Sequence, residues 1–151
     1  MDKWEETVVP ASKGAEGFDV SLKNSELWTV ARDNGEIYII DITSKKIKTT
    51  IDAKAFGADR LKFTPDGKWA LISSLSSGTL SIFDTETHKE IKKINVGHGA
   101  AGILVDPNGS RAFVSCSPDN YVAVVDLKTF KVTAHIDVGK NPDGLAWAAQ
   151  Q

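Results

Sequence analysis

Three carboxylates occupy matching positions along the chain and could together bind a hard cation. Glu16, Asp59 and Asp143 each follow a glycine or proline by one or two residues, and Ala101 takes the corresponding place in a fourth segment. Ca²⁺ prefers carboxylate oxygens, so one interpretation is a Ca²⁺ site. The other is that each carboxylate accepts backbone hydrogen bonds from a neighbouring unit or faces solvent. The second is favoured, and no cofactor is expected, with Ca²⁺ as the alternative.

Two further residues complete the candidate ligand- or metal-binding set. Arg60 adjoins Asp59, and His98 lies between Gly97 and Gly99, where the glycines permit close approach to a ligand. Histidine titrates in the range that suits acid–base chemistry. No serine, cysteine or carboxylate stands in a recognisable sequence relation to His98, so no catalytic residue is predicted. Cys116, the single cysteine, is predicted to be a small buried residue, because a reactive thiol needs an electropositive, partly exposed setting.

Composition excludes several classes of function. The formal net charge is −2, and we expect no nucleic-acid partner. No apolar run reaches the roughly 18 residues that a membrane helix requires, and the first residues lack an apolar signal segment. Neither a phosphate-binding loop, a dinucleotide fingerprint nor a nucleophile elbow is present. An enzymatic function is therefore left uncertain and is not favoured.

The elements that position these residues follow from an internal repeat. Apolar runs end in Asp41, Asp84 and Asp126, at intervals of 43 and 42 residues. The turns Pro65-Asp66-Gly67 and Pro107-Asn108-Gly109 lie 42 residues apart. Periods of about 40 to 50 residues with short strands are typical of propeller blades. Several landmarks in one register make this repeat the basis of the fold prediction.

Each unit has the pattern of four short strands. In the second unit these are residues 60–64, 69–73, 79–84 and 90–94. Apolar residues at consecutive positions 37–40 predict a third strand that is covered on both faces. The fourth strands alternate apolar residues with lysine or threonine, which is typical of an outer edge. In the loops after the third strands, the aspartate side chain is expected to accept backbone N–H bonds.

We therefore predict an all-β fold of β-propeller blades: three complete four-stranded blades plus an extra strand at each end, in a single domain over residues 1–151. The blades span approximately residues 14–56, 57–98 and 99–141. The flanking strands are residues 5–11, as the outer strand of a preceding blade, and residues 144–148, as the inner strand of a following one. Loops before the inner strands and between second and third strands gather at one end of a propeller, where Glu16, Asp59 and Asp143 would surround the channel mouth.

The repeat resembles the YVTN family of β-propeller repeats over most of the chain. The resemblance rests on Phe63-Thr64-Pro65-Asp66-Gly67-Lys68, Val105-Asp106-Pro107-Asn108-Gly109-Ser110 and Tyr121-Val122-Ala123-Val124-Val125-Asp126. It implies a seven-bladed ring, commonly in exported, periplasmic or cell-envelope bacterial proteins. Such a ring needs about twice the 151 residues present here. The cellular compartment is left open.

Two explanations of the half-length remain open: a part of a longer propeller without independent function, or a half-ring that closes with another copy. Free blade faces would expose more apolar surface than a soluble monomer usually shows, so a homo-oligomer, first of all a dimer, is expected. The leading functional hypothesis is a non-enzymatic binding or scaffold module for a protein or small-molecule ligand. The alternative is a lactonase-like or metal-dependent hydrolase that uses the channel-mouth carboxylates.

Overall fold

The computed structural model describes residues 5–21 and 23–148, which form three separate four-stranded antiparallel sheets. The strands are β1 (Ala15–Ser21), β2 (Glu26–Ala31), β3 (Glu36–Asp41), β4 (Lys46–Asp52), β5 (Ala58–Phe63), β6 (Trp69–Ser74), β7 (Thr79–Asp84), β8 (Glu90–Asn95), β9 (Ala100–Val105), β10 (Arg111–Cys116), β11 (Tyr121–Asp126) and β12 (Lys131–Asp137). Blade 1 is β1–β4, blade 2 is β5–β8 and blade 3 is β9–β12, each with its strands in sequence order. The all-β, three-blade prediction is confirmed. Across the described part of the chain, no helix has the length and apolarity to span a membrane.

The strand patterns match their burial. In β3, Ile37, Ile39 and Ile40 are buried, as expected for a strand that is covered on both faces. The outer strand β12 is mostly exposed, as its alternating pattern predicts. Strand β5 begins two residues earlier than the sequence predicts and ends at Phe63.

The loops after the third strands are held as predicted by aspartate side chains. The Oδ1 atoms of Asp41, Asp84 and Asp126 accept hydrogen bonds from the backbone N–H groups of residues 44, 87 and 129, at 2.6, 2.7 and 2.6 Å. These bonds lower the pKa of each aspartate, with the partner residue's hydrogen bonds as the largest cause. The same turn chemistry thus recurs in all three blades.

Two apolar cores lie between the blades. Between blades 1 and 2, the ring of Trp28 packs edge-on against Phe63 with 5.5 Å between ring centroids. Between blades 2 and 3, Leu71 and Ile82 pack with Ile103 and Val114. We call the face of a blade that meets the preceding blade its leading face, and the opposite face its trailing face. Each core thus joins the trailing face of one blade to the leading face of the next.

The two predicted flanking strands require correction. Residues 5–11 and 144–148 form no sheet in this chain, because a strand exists only beside a hydrogen-bonded neighbour and the three described sheets are filled by β1–β12. Both segments still follow the repeat. The Ala11 N–H donates to Val9 O at 2.9 Å, and 42 residues later Ala53 N–H donates to Ile51 O at the same distance. The predicted domain also includes residues 1–4, 22 and 149–151, which lie outside the described residues.

The C-terminal segment repeats an inter-blade contact. The Ser73 hydroxyl of blade 2 donates to Ala101 O of blade 3 at 2.6 Å, and the Ser115 hydroxyl donates to Asp143 O at 2.5 Å. The two serine donors are 42 residues apart in the sequence, and so are the two residues whose carbonyl oxygens accept. The indole of Trp147 also lies over Phe113, with 6.4 Å between ring centroids. The segment from Asp143 therefore occupies the place of an inner strand on the trailing face of blade 3.

Candidate functional site

The channel-mouth residues come from the starts of the inner strands and from the loops that follow the second strands. Glu16 lies in β1, Asp59 and Arg60 in β5, and Arg32 directly after β2. Strands β1, β5 and β9 are neighbours, so these positions converge at one end of the blades. Gly17 permits this approach, because a Cβ atom there would lie 2.6 Å from Arg60 Cα. The repeat thus brings three of the predicted residues together.

At the mouth, two arginines alternate with the three predicted carboxylates. Arg32 Nη1 lies 3.0 Å from Glu16 Oε1, and Arg32 Nη2 lies 3.8 Å from Asp59 Oδ1. Arg60 Nη1 lies 3.1 Å from Asp59 Oδ2, and Arg60 Nη2 lies 3.9 Å from Asp143 Oδ1. We call this series, Glu16–Arg32–Asp59–Arg60–Asp143, the mouth ion-pair series. Its longer ion pairs at 3.8 and 3.9 Å are weaker than the pairs at 3.0 and 3.1 Å, because Coulomb attraction falls with distance.

In the mouth ion-pair series, every carboxylate already lies beside an arginine. Among the described residues, no three His, Cys, Asp or Glu side chains come together in a way that would hold a metal ion. A guanidinium beside each carboxylate repels a second positive charge. Each of the three carboxylates is thus engaged by an arginine.

Asp59 is the buried member of the series. Its side chain is 8 % exposed, whereas those of Arg32 and Arg60 are 40 % and 41 % exposed. Burial raises the pKa of Asp59, and Arg60 and Arg32 oppose that rise. The neighbouring carboxylates of Glu16 and Asp143 add to it. The two arginines thus limit how far burial raises the pKa of Asp59.

Replacing Arg60 with glutamine is expected to raise the pKa of Asp59 further, because the largest opposing charge is removed. The folded-state pKa of Asp59 already exceeds its ordinary value of 3.8, so stability from this group is complete below pH 3.8 and is lost as pH rises through the folded value. In Arg60→Gln this loss should extend to higher pH. The measurement is the free energy of unfolding in urea from pH 3 to 7, with the Asp59 carboxyl titration followed by NMR.

Lys62→Gln is the matched control, because Lys62 pairs with Asp19 at 3.6 Å and has no ion pair to Asp59. Its stability profile should run parallel to that of the wild type. Parallel profiles for Arg60→Gln as well would show that Arg60 does not control the charge of Asp59.

His98 lies apart from the series and pairs with a different carboxylate. The His98 N–H donates to Asp119 Oδ2 at 2.7 Å, and its Nδ1 lies 3.0 Å from Asp119 Oδ1. These contacts, first of all the backbone N–H of His98, lower the pKa of Asp119. The His98 side chain is 86 % exposed, so its Nε2 edge faces solvent. Within the described chain, no hydrogen bond or ion pair joins His98 to Glu16, Asp59, Asp143 or Arg60.

The residues beneath His98 have structural roles. Cys116 is buried, as predicted, and burial raises the pKa of its thiol. The Tyr121 hydroxyl donates to Val96 O at 3.0 Å, and burial is the largest of the causes that raise its pKa to about 12. Gly97 has a φ of 138°, and a Cβ atom there would lie 2.9 Å from both Asp119 Oδ2 and Cys116 Sγ. Glycine is therefore required at position 97 for this loop to pack closely against Asp119.

Sequence reasoning missed a cavity between blades 1 and 2. It has a volume of about 640 Å³ and lies at the end opposite the mouth. Its lining includes Glu26, Lys48, Lys68 and His88. The buried Glu26 carboxylate accepts hydrogen bonds from Trp28 Nε1 at 2.9 Å and from Lys48 Nζ at 2.6 Å. The one sign of this cavity in the sequence is Glu26, a carboxylate at the start of a strand and two residues before Trp28.

Comparisons with known proteins support the fold. No protein-family model matches the chain, and no curated protein does so. Among solved structures, Kuenenia stuttgartiensis hydrazine synthase is similar with a TM-score of 0.82 and 22 % identity, over 95 % of this chain and 42 % of that one. A functionally unknown protein from Desulfotomaculum acetoxidans has a TM-score of 0.77 and 15 % identity, over 89 % and 45 %. A proposed 6-phosphogluconolactonase from Bacteroides fragilis has a TM-score of 0.78 and 19 % identity, over 90 % and 42 %.

This chain thus spans less than half the length of each of these three structures. At such identities the likeness concerns the fold and not the activity. The order of the strands, the inter-blade cores and these likenesses agree, and the chain is a set of β-propeller blades.

Proposed function

We propose that this chain is a non-enzymatic propeller module that binds a polar ligand at the channel mouth and completes its ring by self-association. The observation that carries the proposal is the mouth ion-pair series. It fixes charges of both signs on a rigid surface, and each of its carboxylates is engaged by an arginine.

The ligand chemistry follows from the exposed parts of the series. Arg32 and Arg60 are partly exposed, and a guanidinium presents several N–H donors in a planar fork that suits a carboxylate. Asp143 is more than half exposed and offers acceptor oxygens. A ligand that carries both an anionic and a cationic group, such as a peptide segment, matches this surface best.

Self-association follows from apolar side chains that the three blades leave exposed. Phe18 in β1 is 62 % exposed, and Val20 of the same strand is also exposed. An apolar patch on a soluble protein marks an interface more often than an ordinary surface. A second copy of the chain is the partner that supplies matching blade faces.

A second candidate function, a lactonase-like hydrolase, is favoured by the His98–Asp119 pair. A carboxylate that holds Nδ1 fixes the imidazole and leaves Nε2 to act on a water molecule, which is the arrangement of a general base. The similar structure described as a proposed 6-phosphogluconolactonase agrees with this candidate at the level of the fold.

Two measurements test the proposal. Labelled zwitterionic hexapeptides of alternating lysine and glutamate should bind the full chain in fluorescence polarisation, and the double variant Arg32→Gln/Arg60→Gln should bind at least ten-fold more weakly. The control, Lys128→Gln/Lys131→Gln, removes two charges from the β11–β12 hairpin, away from the mouth, and should bind as the wild type does.

The second measurement is hydrolysis of 6-phosphogluconolactone in a pH-stat. We expect the uncatalysed rate. Turnover that His98→Asn abolishes would replace the binding proposal with the hydrolase. A chain that stays soluble only as part of a longer polypeptide would instead favour the interpretation as a portion of a larger ring.

A further inference from the structure

The leading face of blade 1 exposes a residue whose repeat equivalents are buried. Phe18 pairs with Thr29 in the sheet register, as Leu61 pairs with Ile72 and Ile103 with Val114. Leu61 and Ile103 are 1 % and 5 % exposed because each packs on the preceding blade, whereas Phe18 is 62 % exposed. Phe18 therefore has the apolar character of an inter-blade contact residue, but the inner half of the leading face around it is uncovered.

The outer half of the same face is covered. Residues Glu5, Thr7 and Val9 lie along it and form, with Leu27 and Ile40, a groove of about 450 Å³. Lys45 Nζ donates to the Thr7 hydroxyl at 3.1 Å. The N-terminal segment thus stands where an outer strand would stand. Among the described residues, nothing covers the inner half of this face beside Phe18.

The C-terminal segment occupies the place of an inner strand, and no described residue covers its outward side at Gly144. Gly17 and Gly102 are repeat positions at which an added Cβ atom would collide with the backbone of the next unit, at Arg60 and at Asp143 respectively. Gly144 is the next member of this series, 42 residues after Gly102. No described atom lies within 4 Å of its Cβ position. Ala146, two residues on and on the same side, is exposed and small.

We propose that residues 143–148 of one copy dock on the leading face of blade 1 of a second copy. Gly144 then lies against the backbone of Glu16 and Gly17 of that copy, as Gly102 lies against Asp143 and Gly17 against Arg60 within the chain. Ala146 covers Phe18. The occupant is a second copy because the chain itself offers both complementary surfaces: a segment in the place of an inner strand with an open glycine at position 144, and an exposed Phe18 on a blade face.

The docking also extends the mouth. It places Asp143 of one copy, the last member of the ion-pair series, beside Glu16 of the other, the first member. Each copy therefore contributes residues to a composite channel mouth. This inference rests on the self-association in the proposed function and specifies its interface.

The test is the molar mass of the full chain by size-exclusion chromatography with light scattering. We expect the wild type at twice the 16.3 kDa chain mass. Phe18→Asp and Gly144→Ile should each raise the dissociation constant at least ten-fold. Their matched controls are Phe56→Asp, where Phe56 is 56 % exposed in the loop before β5, and Gly139→Ile, where the Cβ position is equally open. Both controls should remain dimeric.

The outcomes separate the two proposals. A wild-type monomer overturns both the self-association and this interface. A wild-type dimer that Phe18→Asp and Gly144→Ile leave intact overturns the interface alone. Circular dichroism confirms that each variant keeps its strand content, and because Phe18 and Gly144 are exposed, their substitution is not expected to unfold the blades.

Discussion

Replacing Trp28 with alanine is expected to lower the free energy of unfolding by about 3–5 kcal/mol, the usual cost of truncating a buried tryptophan. Trp28 is fully buried in the core between blades 1 and 2. Its ring packs edge-on against Phe63, with 5.5 Å between ring centroids, and against His88, with 5.4 Å between ring centroids. The substitution removes contacts on both sides of an inter-blade core, and equilibrium urea unfolding followed by circular dichroism measures the loss.

Trp28→Phe separates packing from hydrogen bonding. Phenylalanine retains most of the apolar volume but removes the indole N–H that Glu26 Oε2 accepts at 2.9 Å. Because the Glu26 carboxylate is buried, the loss of that donor should cost about 1–3 kcal/mol. Trp147→Ala is the control of the same residue type. Its side chain is about half exposed against Phe113, so the cost should stay near 1 kcal/mol or less. Equal losses for Trp28→Ala and Trp147→Ala would contradict the assignment of Trp28 to the core.

The Gly17→Val variant is expected to be less stable than the wild type by about 3 kcal/mol, at the upper end of the usual cost of overpacking. A Cβ atom at this position would lie 2.6 Å from both Arg60 Cα and Leu61 N. These are backbone atoms of a buried strand, so they cannot move aside as a flexible side chain would. Strand β1 would have to separate from β5, and urea unfolding should show a lower midpoint.

Gly139→Val provides the comparison, because no described atom lies within 4 Å of its Cβ position. Its stability should stay within about 0.5 kcal/mol of the wild type, as is usual for surface substitutions. A Gly17→Val protein as stable as Gly139→Val would mean that β1 and β5 are further apart than described. The mouth ion-pair series would then need revision as well, because it joins residues of these two strands.

Most of the fold could be predicted because its signals are local and repeated. The aspartates at 41, 84 and 126 act on turns only a few residues away, and the alternation within one strand reports which faces are covered. The flanking strands could not be predicted in the same way. Residues 5–11 and 144–148 have strand-like patterns, but a strand depends on a neighbour that the pattern does not identify.

The candidate site was predicted in part for a similar reason. The repeat register places Glu16, Asp59 and Asp143 at one end of the blades, and the sequence shows this directly. It does not show that Arg32 reaches two carboxylates, because the direction of a long side chain depends on tertiary contacts. For the same reason, the sequence does not show that His98 pairs with Asp119. The two residues are 21 positions apart, in loops that only the folded sheet brings together.

The two inter-blade cores have a consequence for cooperativity. Blade 2 contributes to both described cores, whereas blades 1 and 3 contribute to one each. In a quasi-one-dimensional array, opening a terminal unit breaks one interface and opening the central unit breaks two. The partial unfolding that requires the least free energy therefore begins at blade 1 or blade 3. We therefore expect the amide hydrogens of the buried strands β6 and β7 to exchange most slowly, because opening them breaks both inter-blade cores.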